Sequence, residues 1–130
     1  MGLGLLLDTH ALLWALMTPE KLSGTVLEHL ENAETRLHVS SVSAWELSIK
    51  HALGKLAGAE GVLAGFSGHL AELQAGVLVI TPEHALTAGA LPPHHRDPFD
   101  RMLVAQAQTE GLALVSSDRA FDAYEVPVVW

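Results

Sequence analysis

The sequence predicts an α/β domain built around a buried parallel sheet. Short, continuously apolar segments alternate along the chain with longer segments of helical periodicity, a pattern typical of βαβ units. The 130 residues suit a single domain over 1–130, and 49% hydrophobic residues are enough to form a packed core. Because only 17% of the residues are charged, the composition argues against a disordered chain.

Turn and capping residues set the boundaries of the predicted elements. Pro19, Pro82 and Pro98 are each suited to the first turn of a helix, whereas Gly54 and Gly76 are suited to its end. In chain order, the prediction is a strand over 3–7, helices over 9–17 and 19–33, a strand over 37–40, helices over 42–53 and 60–74, a β-branched strand over 77–80, a helix over 82–90, a loop over 92–96, a helix over 98–110, and strands over 112–115 and 126–129.

Charge and composition exclude several classes of protein. The formal net charge of −8 is opposite to that of a protein that binds nucleic acid through a broad basic surface. The apolar run over 2–7 is far shorter than the roughly 20 residues of a membrane span, and it does not resemble an export signal. We therefore expect a cytoplasmic protein with no membrane partner. The absence of cysteine excludes disulfides and thiolate chemistry.

The five aspartates lie where a parallel sheet would bring them together. Asp8 follows the first predicted strand, Asp118 follows the strand over 112–115, and Asp97 and Asp100 open the helix after the proline-rich loop. Ligands of such sheets bind at the carboxyl ends of the strands, so Asp8 and Asp118 belong to the same edge. Each of Asp8, Asp97 and Asp118 also has a purely structural explanation as a helix N-cap.

Glu46 adds a fourth candidate carboxylate to that edge. Its structural explanation is a capping box with Ser43 and a surface ion pair with Lys50. Yet it shares the inward helical face of Ile49 and Leu53, where a carboxylate is costly unless it meets a cation or donors. Converging carboxylates favour a magnesium or manganese ion. Because no phosphate-binding glycine loop is present, the chemistry indicated is phosphodiester hydrolysis rather than nucleotide hydrolysis.

Four segments in order along the chain resemble PIN-domain proteins, in particular the VapC-type toxins of bacterial toxin–antitoxin pairs. They are Leu5-Leu-Leu-Asp8-Thr-His-Ala-Leu-Leu-Trp14; Ser41-Val-Ser-Ala-Trp-Glu46-Leu-Ser-Ile-Lys50 with Leu53-Gly-Lys-Leu56; His95-Arg-Asp-Pro-Phe-Asp100-Arg-Met-Leu-Val-Ala-Gln-Ala107; and Leu114-Val-Ser-Ser-Asp118. The resemblance implies a three-layer α/β/α sandwich with a central parallel sheet, and a Mg²⁺- or Mn²⁺-dependent endoribonuclease.

The resemblance assigns the catalytic and metal-binding roles to Asp8, Glu46, Asp100 and Asp118 together. The last position varies between Asp and Asn in the family, so Asp122 is an alternative to Asp118. Asp97 is interpreted first as a cap or loop residue. The resemblance also implies an RNA substrate, a homodimer and a VapB-type antitoxin that covers the site.

Several side chains near these motifs have two interpretations. Arg96, Arg101 and Arg119 could contact RNA phosphates or neutralise neighbouring acids, and His10 could reach the site or pack. Trp14 and Trp45 are interpreted as core residues. His94 and His95 lack the spacing of a zinc site, and the remaining histidines are predicted to lie on the surface.

Two other functions remain open from the sequence. One is a catalytically silent PIN-like binding module, in which the aspartates serve mainly as helix caps. The other is a structure-specific DNA nuclease with the same site chemistry, which side-by-side RNA and DNA substrates would distinguish.

Overall fold

A five-stranded parallel sheet forms the centre of the protein. The structure is a computed structural model that describes residues 3–130; Gly2, where the predicted apolar run begins, lies outside the described residues. The strands are β1 (Gly4–Leu7), β2 (Arg36–Ser40), β3 (Ala75–Leu78), β4 (Ala113–Val115) and β5 (Val128–Val129). Their order is β3-β2-β1-β4-β5, so β1 comes first in the chain but lies in the middle of the sheet. The order reverses between β1 and β4, which is where such sheets bind ligands.

Helices cover both faces of the sheet, which confirms the predicted three-layer α/β/α sandwich. They are α1 (Thr9–Met17), α2 (Gly24–Glu31), α3 (Ser41–Ala52), α4 (Glu60–Ala64), α5 (Phe66–Glu72), α6 (Pro82–Ala90) and α7 (Pro98–Glu110). Successive side chains of a strand point to opposite faces. Accordingly, Leu5 and Leu7 belong to the core cluster that includes side chains of α1, α2 and α5, whereas Leu6 packs with Leu103 of α7.

Three helices have the predicted bounds because local capping defines their starts. The Asp8 carboxylate accepts a hydrogen bond from the Ala11 N–H at 2.7 Å and caps α1. Thr81 and His84 form a reciprocal capping box at the start of α6. The Asp97 carboxylate accepts from the Phe99 N–H at 2.8 Å, just before the proline that opens α7. These contacts confirm that Asp8 and Asp97 are N-caps.

Two predicted helices are wrong in their extent. The helix expected over 19–33 is a short 3-10 turn at Pro19–Lys21 followed by α2, because the Ser23 side chain caps a new start. The helix expected over 60–74 breaks at Gly65 into α4 and α5. Gly76 does not end α5; the chain turns at Gln74, with φ 57°, and β3 begins two residues earlier than predicted.

The start of α3 also differs from the prediction. Ser40 is the N-cap, since its hydroxyl accepts from the Val42 N–H at 3.0 Å. The proposed capping box between Ser43 and Glu46 is therefore wrong. Ser43 is instead buried, with its hydroxyl 3.0 Å from that of Thr9. In residues 3–130, no helix has the length and apolar character needed to cross a membrane.

Candidate active site

Asp8 lies at the carboxyl end of the central strand, where it is buried. Only 5% of the residue is exposed, and the backbone N–H of Asp8 donates to the Val115 carbonyl of β4. Burial raises the pKa of its carboxyl, although the Ser116 hydroxyl and the Ala11 N–H act in the opposite direction. Asp8 thus caps α1 and also places its carboxylate at the edge of the sheet where the strand order reverses.

Glu46 projects from the second turn of α3 and is 4% exposed. Its Oε2 atom lies 2.8 Å from the Lys50 ammonium, which confirms the predicted ion pair. Its Oε1 atom is buried without a hydrogen-bond partner among residues 3–130. A buried acceptor that is left unpaired costs free energy, so this oxygen is suited to an added cation or donor.

Asp100, in the first turn of α7, shows that the four predicted acids converge. Its pKa is raised to about 7, first by burial and then by the negative charges of Asp97, Glu46, Asp8 and Asp118. The carboxylates are therefore close enough to repel one another. Asp97, interpreted from the sequence as a cap, contributes to this field as well.

Asp118 is the exposed member of the set. Its carboxylate accepts from the Ala120 N–H at 2.9 Å, and its own N–H donates to the Ser116 hydroxyl at 3.0 Å. Its Oδ2 atom lies 3.9 Å from the ring of His95. The alternative candidate, Asp122, is paired with Arg119 at 3.2 Å.

We call Asp8, Glu46, Asp100 and Asp118, together with His95, the acidic cluster. His95 was not identified as a site residue from the sequence. Its Nε2 atom lies 3.0 Å from Asp100 Oδ2, without the alignment of a hydrogen bond. The Nδ1 atom accepts the backbone N–H of Asp97 at 3.2 Å, which places the ring proton on Nε2. His95 therefore presents an N–H to Asp100 and Asp118.

Long-range contacts hold the loop that carries His95, and no local pattern reveals them. The Tyr124 hydroxyl accepts the His95 N–H at 2.9 Å and donates to the Pro92 carbonyl at 2.9 Å. Arg101 donates to backbone carbonyls at the end of α6 and in this loop, namely those of Ala88, Leu91, Pro92 and His95. The guanidinium of Arg101 thus fastens the loop to the end of α6. Arg96 is exposed.

The donor set fits a hard divalent cation. Atoms of His95, Asp100 and Asp118 that could bind a metal lie within 4.8 Å of one another. Because the Nε2 atom of His95 carries a proton, the carboxylate oxygens are the better ligands, and Glu46 Oε1 adds an unpaired one. An all-oxygen set of mutually repelling carboxylates suits Mg²⁺ or Mn²⁺ better than zinc.

The structure corrects two predictions for side chains away from the acids. Trp45 is not a core residue: it is 60% exposed on α3 and meets Phe99 edge-to-face at 5.1 Å. Trp14 does pack partly against the core, as expected. His84, predicted to lie on the surface, is 1% exposed.

Comparisons with known proteins agree with this fold. Residues 5–127 match the PIN domain family. The chain is 34% identical over 129 residues to Ribonuclease VapC22 of Mycobacterium tuberculosis, covering 96% of this chain and 97% of that protein. The chain belongs to the PIN-domain family, and the predicted resemblance to its VapC-type members is confirmed.

Solved structures of low sequence identity share the fold. VapBC2 from Rickettsia felis, bound to a DNA fragment from its promoter, matches with a TM-score of 0.74 at 15% identity over 98% of both chains. FitAcB from Neisseria gonorrhoeae matches with a TM-score of 0.69 at 19% identity, over 97% of this chain and 96% of the other. A toxin–antitoxin complex from Klebsiella pneumoniae gives 0.64 at 19% identity, over 96% and 95%.

Proposed function

We propose that this PIN-domain protein is a metal-dependent endoribonuclease of the VapC type, the toxin of a toxin–antitoxin pair. The observation that carries the proposal is the convergence of Asp8, Glu46 and Asp118 on Asp100, whose pKa is raised first by burial and then by the neighbouring negative charges. The similarity of nearly the whole chain to Ribonuclease VapC22 supports RNA as the substrate. We further propose that residues 1–130 form one catalytic domain. The protein is proposed to act in the cytoplasm.

The four carboxylates are the residues that would hold the ion or ions. Bound there, Mg²⁺ or Mn²⁺ supplies activation of water and stabilisation of charge on the scissile phosphate. Lys50 holds one oxygen of Glu46 and leaves Oε1 free, so Glu46 is placed to orient the attacking water or accept its proton. His95 directs its Nε2–H toward Asp100 and Asp118 and fixes the loop before α7.

A VapB-type antitoxin and a second copy of the chain are the proposed protein partners. An acidic site on a chain of net charge −8 suits an inhibitor that presents Arg or Lys. The structural relatives include VapBC2 of Rickettsia felis and a toxin–antitoxin complex of Klebsiella pneumoniae. Exposed apolar side chains at the free edge strand β3 and on α6, namely Val77, Val79 and Leu86, support a homodimer.

The proposal is tested by measuring metal binding and RNA cleavage on the same samples. Mn²⁺ is titrated by calorimetry into the parent chain and into the Asp8→Asn/Asp100→Asn variant, and each sample is then assayed on single-stranded RNA and single-stranded DNA. We expect binding and RNA cleavage in the parent and neither in the variant. Glu28→Gln/Glu31→Gln, which changes two exposed acids of α2, is the matched control for the loss of two charges.

Three results would contradict the proposal in different ways. A well-folded parent that neither binds Mn²⁺ nor cleaves RNA indicates a silent binding module. Cleavage of DNA in preference to RNA indicates a DNA nuclease. Cleavage that survives in the Asp8→Asn/Asp100→Asn variant places the chemistry elsewhere in the chain.

A further inference from the structure

A second concave surface adjoins the acidic cluster, and the proposed chemistry does not use it. This cleft, which we call the Trp130 cleft, has a volume of about 320 Å³ and is lined in part by Ser116, Asp118, Arg119, Asp122 and Trp130. It shares Asp118 with the acidic cluster. The hydroxyl of Ser116, which lines it, also lowers the pKa of the Asp8 carboxyl against the effect of burial. The Trp130 cleft is therefore continuous with the candidate site of cleavage.

The sheet register puts Trp130 beside the acids. β5 pairs in parallel with β4, with Val129 opposite Val115, and the Ser116 N–H donates to the Val129 carbonyl at 3.2 Å. Trp130 follows β5 just as Ser116 and Asp118 follow β4. All three residues thus leave the sheet at the same edge.

The indole of Trp130 is supported on one side and open on the other. Its ring centroid lies 5.7 Å from that of Trp14, a tilted aromatic pair of favourable spacing. Trp14 packs against the core, and the Lys21 ammonium lies 5.9 Å from its ring. Trp130 remains 36% exposed and lines the same cleft as Asp118.

The positively charged side chain of Arg119 lies at the rim of the same cleft. The Arg119 side chain is 93% exposed and lies 3.2 Å from Asp122. An ion pair this exposed contributes little stability. Its guanidinium can therefore exchange the carboxylate for a phosphate, which it can bind through two parallel hydrogen bonds. A flat aromatic face, a mobile guanidinium and a nearby carboxylate cluster together fit a nucleotide.

We propose that the Trp130 cleft binds a nucleotide of single-stranded RNA that flanks the scissile bond. The base stacks on Trp130 and the Arg119 guanidinium contacts the adjoining phosphate. This inference rests on the proposed nuclease function, and it specifies the substrate: unpaired bases are accessible for stacking, whereas bases within a duplex are not. Stacking tolerates every base, so the cleft contributes affinity and register more than sequence preference.

The test compares Trp130→Leu, which keeps apolar volume without an aromatic face, with Trp130→Phe, which keeps the face. Cleavage of a 12-nucleotide single-stranded RNA pool gives KM and kcat for each chain. For Trp130→Leu we expect KM to rise about 5- to 150-fold with kcat within about twofold of the parent. Trp130→Phe should recover most of the loss. Trp45→Leu, at an exposed tryptophan on α3, is the matched control and should leave KM unchanged.

Binding measured without cleavage separates this inference from the proposed function. The same substitutions are placed on Asp8→Asn, and the affinity for fluorescent oligo(U) and oligo(A) 12-mers is read by anisotropy. A Trp130-dependent affinity supports the cleft even if the parent cleaves nothing. A folded Trp130→Leu chain that binds and cleaves like the parent overturns it while the nuclease stands. Conversion of a dimer to a monomer by Trp130→Leu, with RNA affinity unchanged, overturns it in favour of a contact between copies.

Discussion

Two groups of polar residues, each partly buried, differ in how their buried ionisable side chains are paired. One is the His84 network between α6 and α7, formed by Thr81, His84, Gln106 and Glu110. The other is the acidic cluster at the carboxyl edge of the sheet. Both place ionisable side chains out of water, where an unpaired polar group costs free energy.

The His84 network supplies partners for both ring nitrogens of His84, although Gln106 Oε1 is buried without a hydrogen-bond partner among residues 3–130. The Nδ1 atom of His84 accepts the Thr81 N–H at 3.1 Å, and Nε2 lies 3.0 Å from Glu110 Oε2. Because Nδ1 is an acceptor here, Nε2 carries the proton and donates to Glu110. The Gln106 amide adds a contact at 3.3 Å to Nδ1. Both ring nitrogens are occupied, so the network stabilises the packing of α6 on α7.

The acidic cluster lacks such internal compensation. Glu46 Oε1 and His95 Nε2 have no hydrogen-bond partner within residues 3–130, and mutual repulsion adds to burial in raising the pKa of Asp100. The cluster therefore destabilises the metal-free fold, and a bound cation would relieve that cost. Substitutions should accordingly have opposite effects on stability at the two places.

The largest effect is expected from Asp100→Asn, which removes a proposed metal ligand and one of the repelling charges. RNA cleavage should fall at least about 100-fold, because ligand loss weakens both ion binding and its chemistry. The melting temperature of the metal-free chain at pH 8 should nonetheless rise. A thermal melt in EDTA beside a cleavage assay checks both. A variant that is inactive and also less stable than the parent would contradict the expected difference between the acidic cluster and the His84 network.

His84→Ala should produce the reverse pattern. We expect a loss of about 2–4 kcal/mol in the free energy of unfolding, since the substitution leaves a cavity and strands the Thr81 and Glu110 groups. Cleavage per folded molecule should stay within about twofold, because the His84 network lies outside the acidic cluster. Urea unfolding provides the measurement. Glu110→Gln, which keeps an acceptor for Nε2–H, is the matched control and should cost about 1 kcal/mol or less.

The pH dependence of stability should distinguish the acidic cluster directly. Asp100 has a pKa of about 7 in the folded chain and an ordinary value of 3.8, so the folded state binds more protons between these values. Its stabilising contribution is fully present below about pH 4 and is lost as the pH rises through about 7. In EDTA, the stability of Asp100→Asn relative to the parent should grow by about 1–3 kcal/mol from pH 5 to pH 8. If the stability difference between Asp100→Asn and the parent does not change with pH, the titration of Asp100 is not its cause.

The smallest effect is expected from Lys50→Met, which keeps the side-chain length but removes the counter-charge of Glu46. We expect the metal-free chain to lose about 1–2 kcal/mol, since the second oxygen of a buried carboxylate is then unpaired. Added Mn²⁺ should restore part of this loss, as measured by unfolding with and without the ion. Lys55→Met is the control on the same surface. Equal losses in the two variants would show that the Glu46 pair adds nothing.

Local signals in the sequence account for the parts of the fold that were predicted well. The bounds of α1, α6 and α7 follow from a capping side chain or an N-terminal proline. The helix expected over 60–74 failed because Gly65 interrupts a continuous apolar pattern that periodicity alone cannot divide. The prediction placed β3 two residues too late because apolar residues continue beyond the segment that pairs with β2.

The difference between local and long-range signals also explains which residues of the candidate site were predicted. Asp8 and Asp118 were predicted from strand ends and Glu46 from a helical face, whereas Asp100 was chosen through the resemblance to the PIN-domain family. His95 was missed because its position depends on Tyr124, 29 residues away, and on Arg101, whose carbonyl contacts leave no sequence pattern. His84 was missed for a similar reason, since the residue that pairs with it, Glu110, is 26 residues further along the chain.

The central position of β1 determines when during synthesis the site can exist. β1 pairs with β2 on one side, and its other side stays open until β4, more than 100 residues later, joins the sheet. Asp8 is synthesised long before the loop carrying His95 and before Asp118. A partial chain on the ribosome therefore carries at most some of the carboxylates. The complete set of carboxylates is available to a metal ion only after β4 and the segment that carries Asp118 have been synthesised.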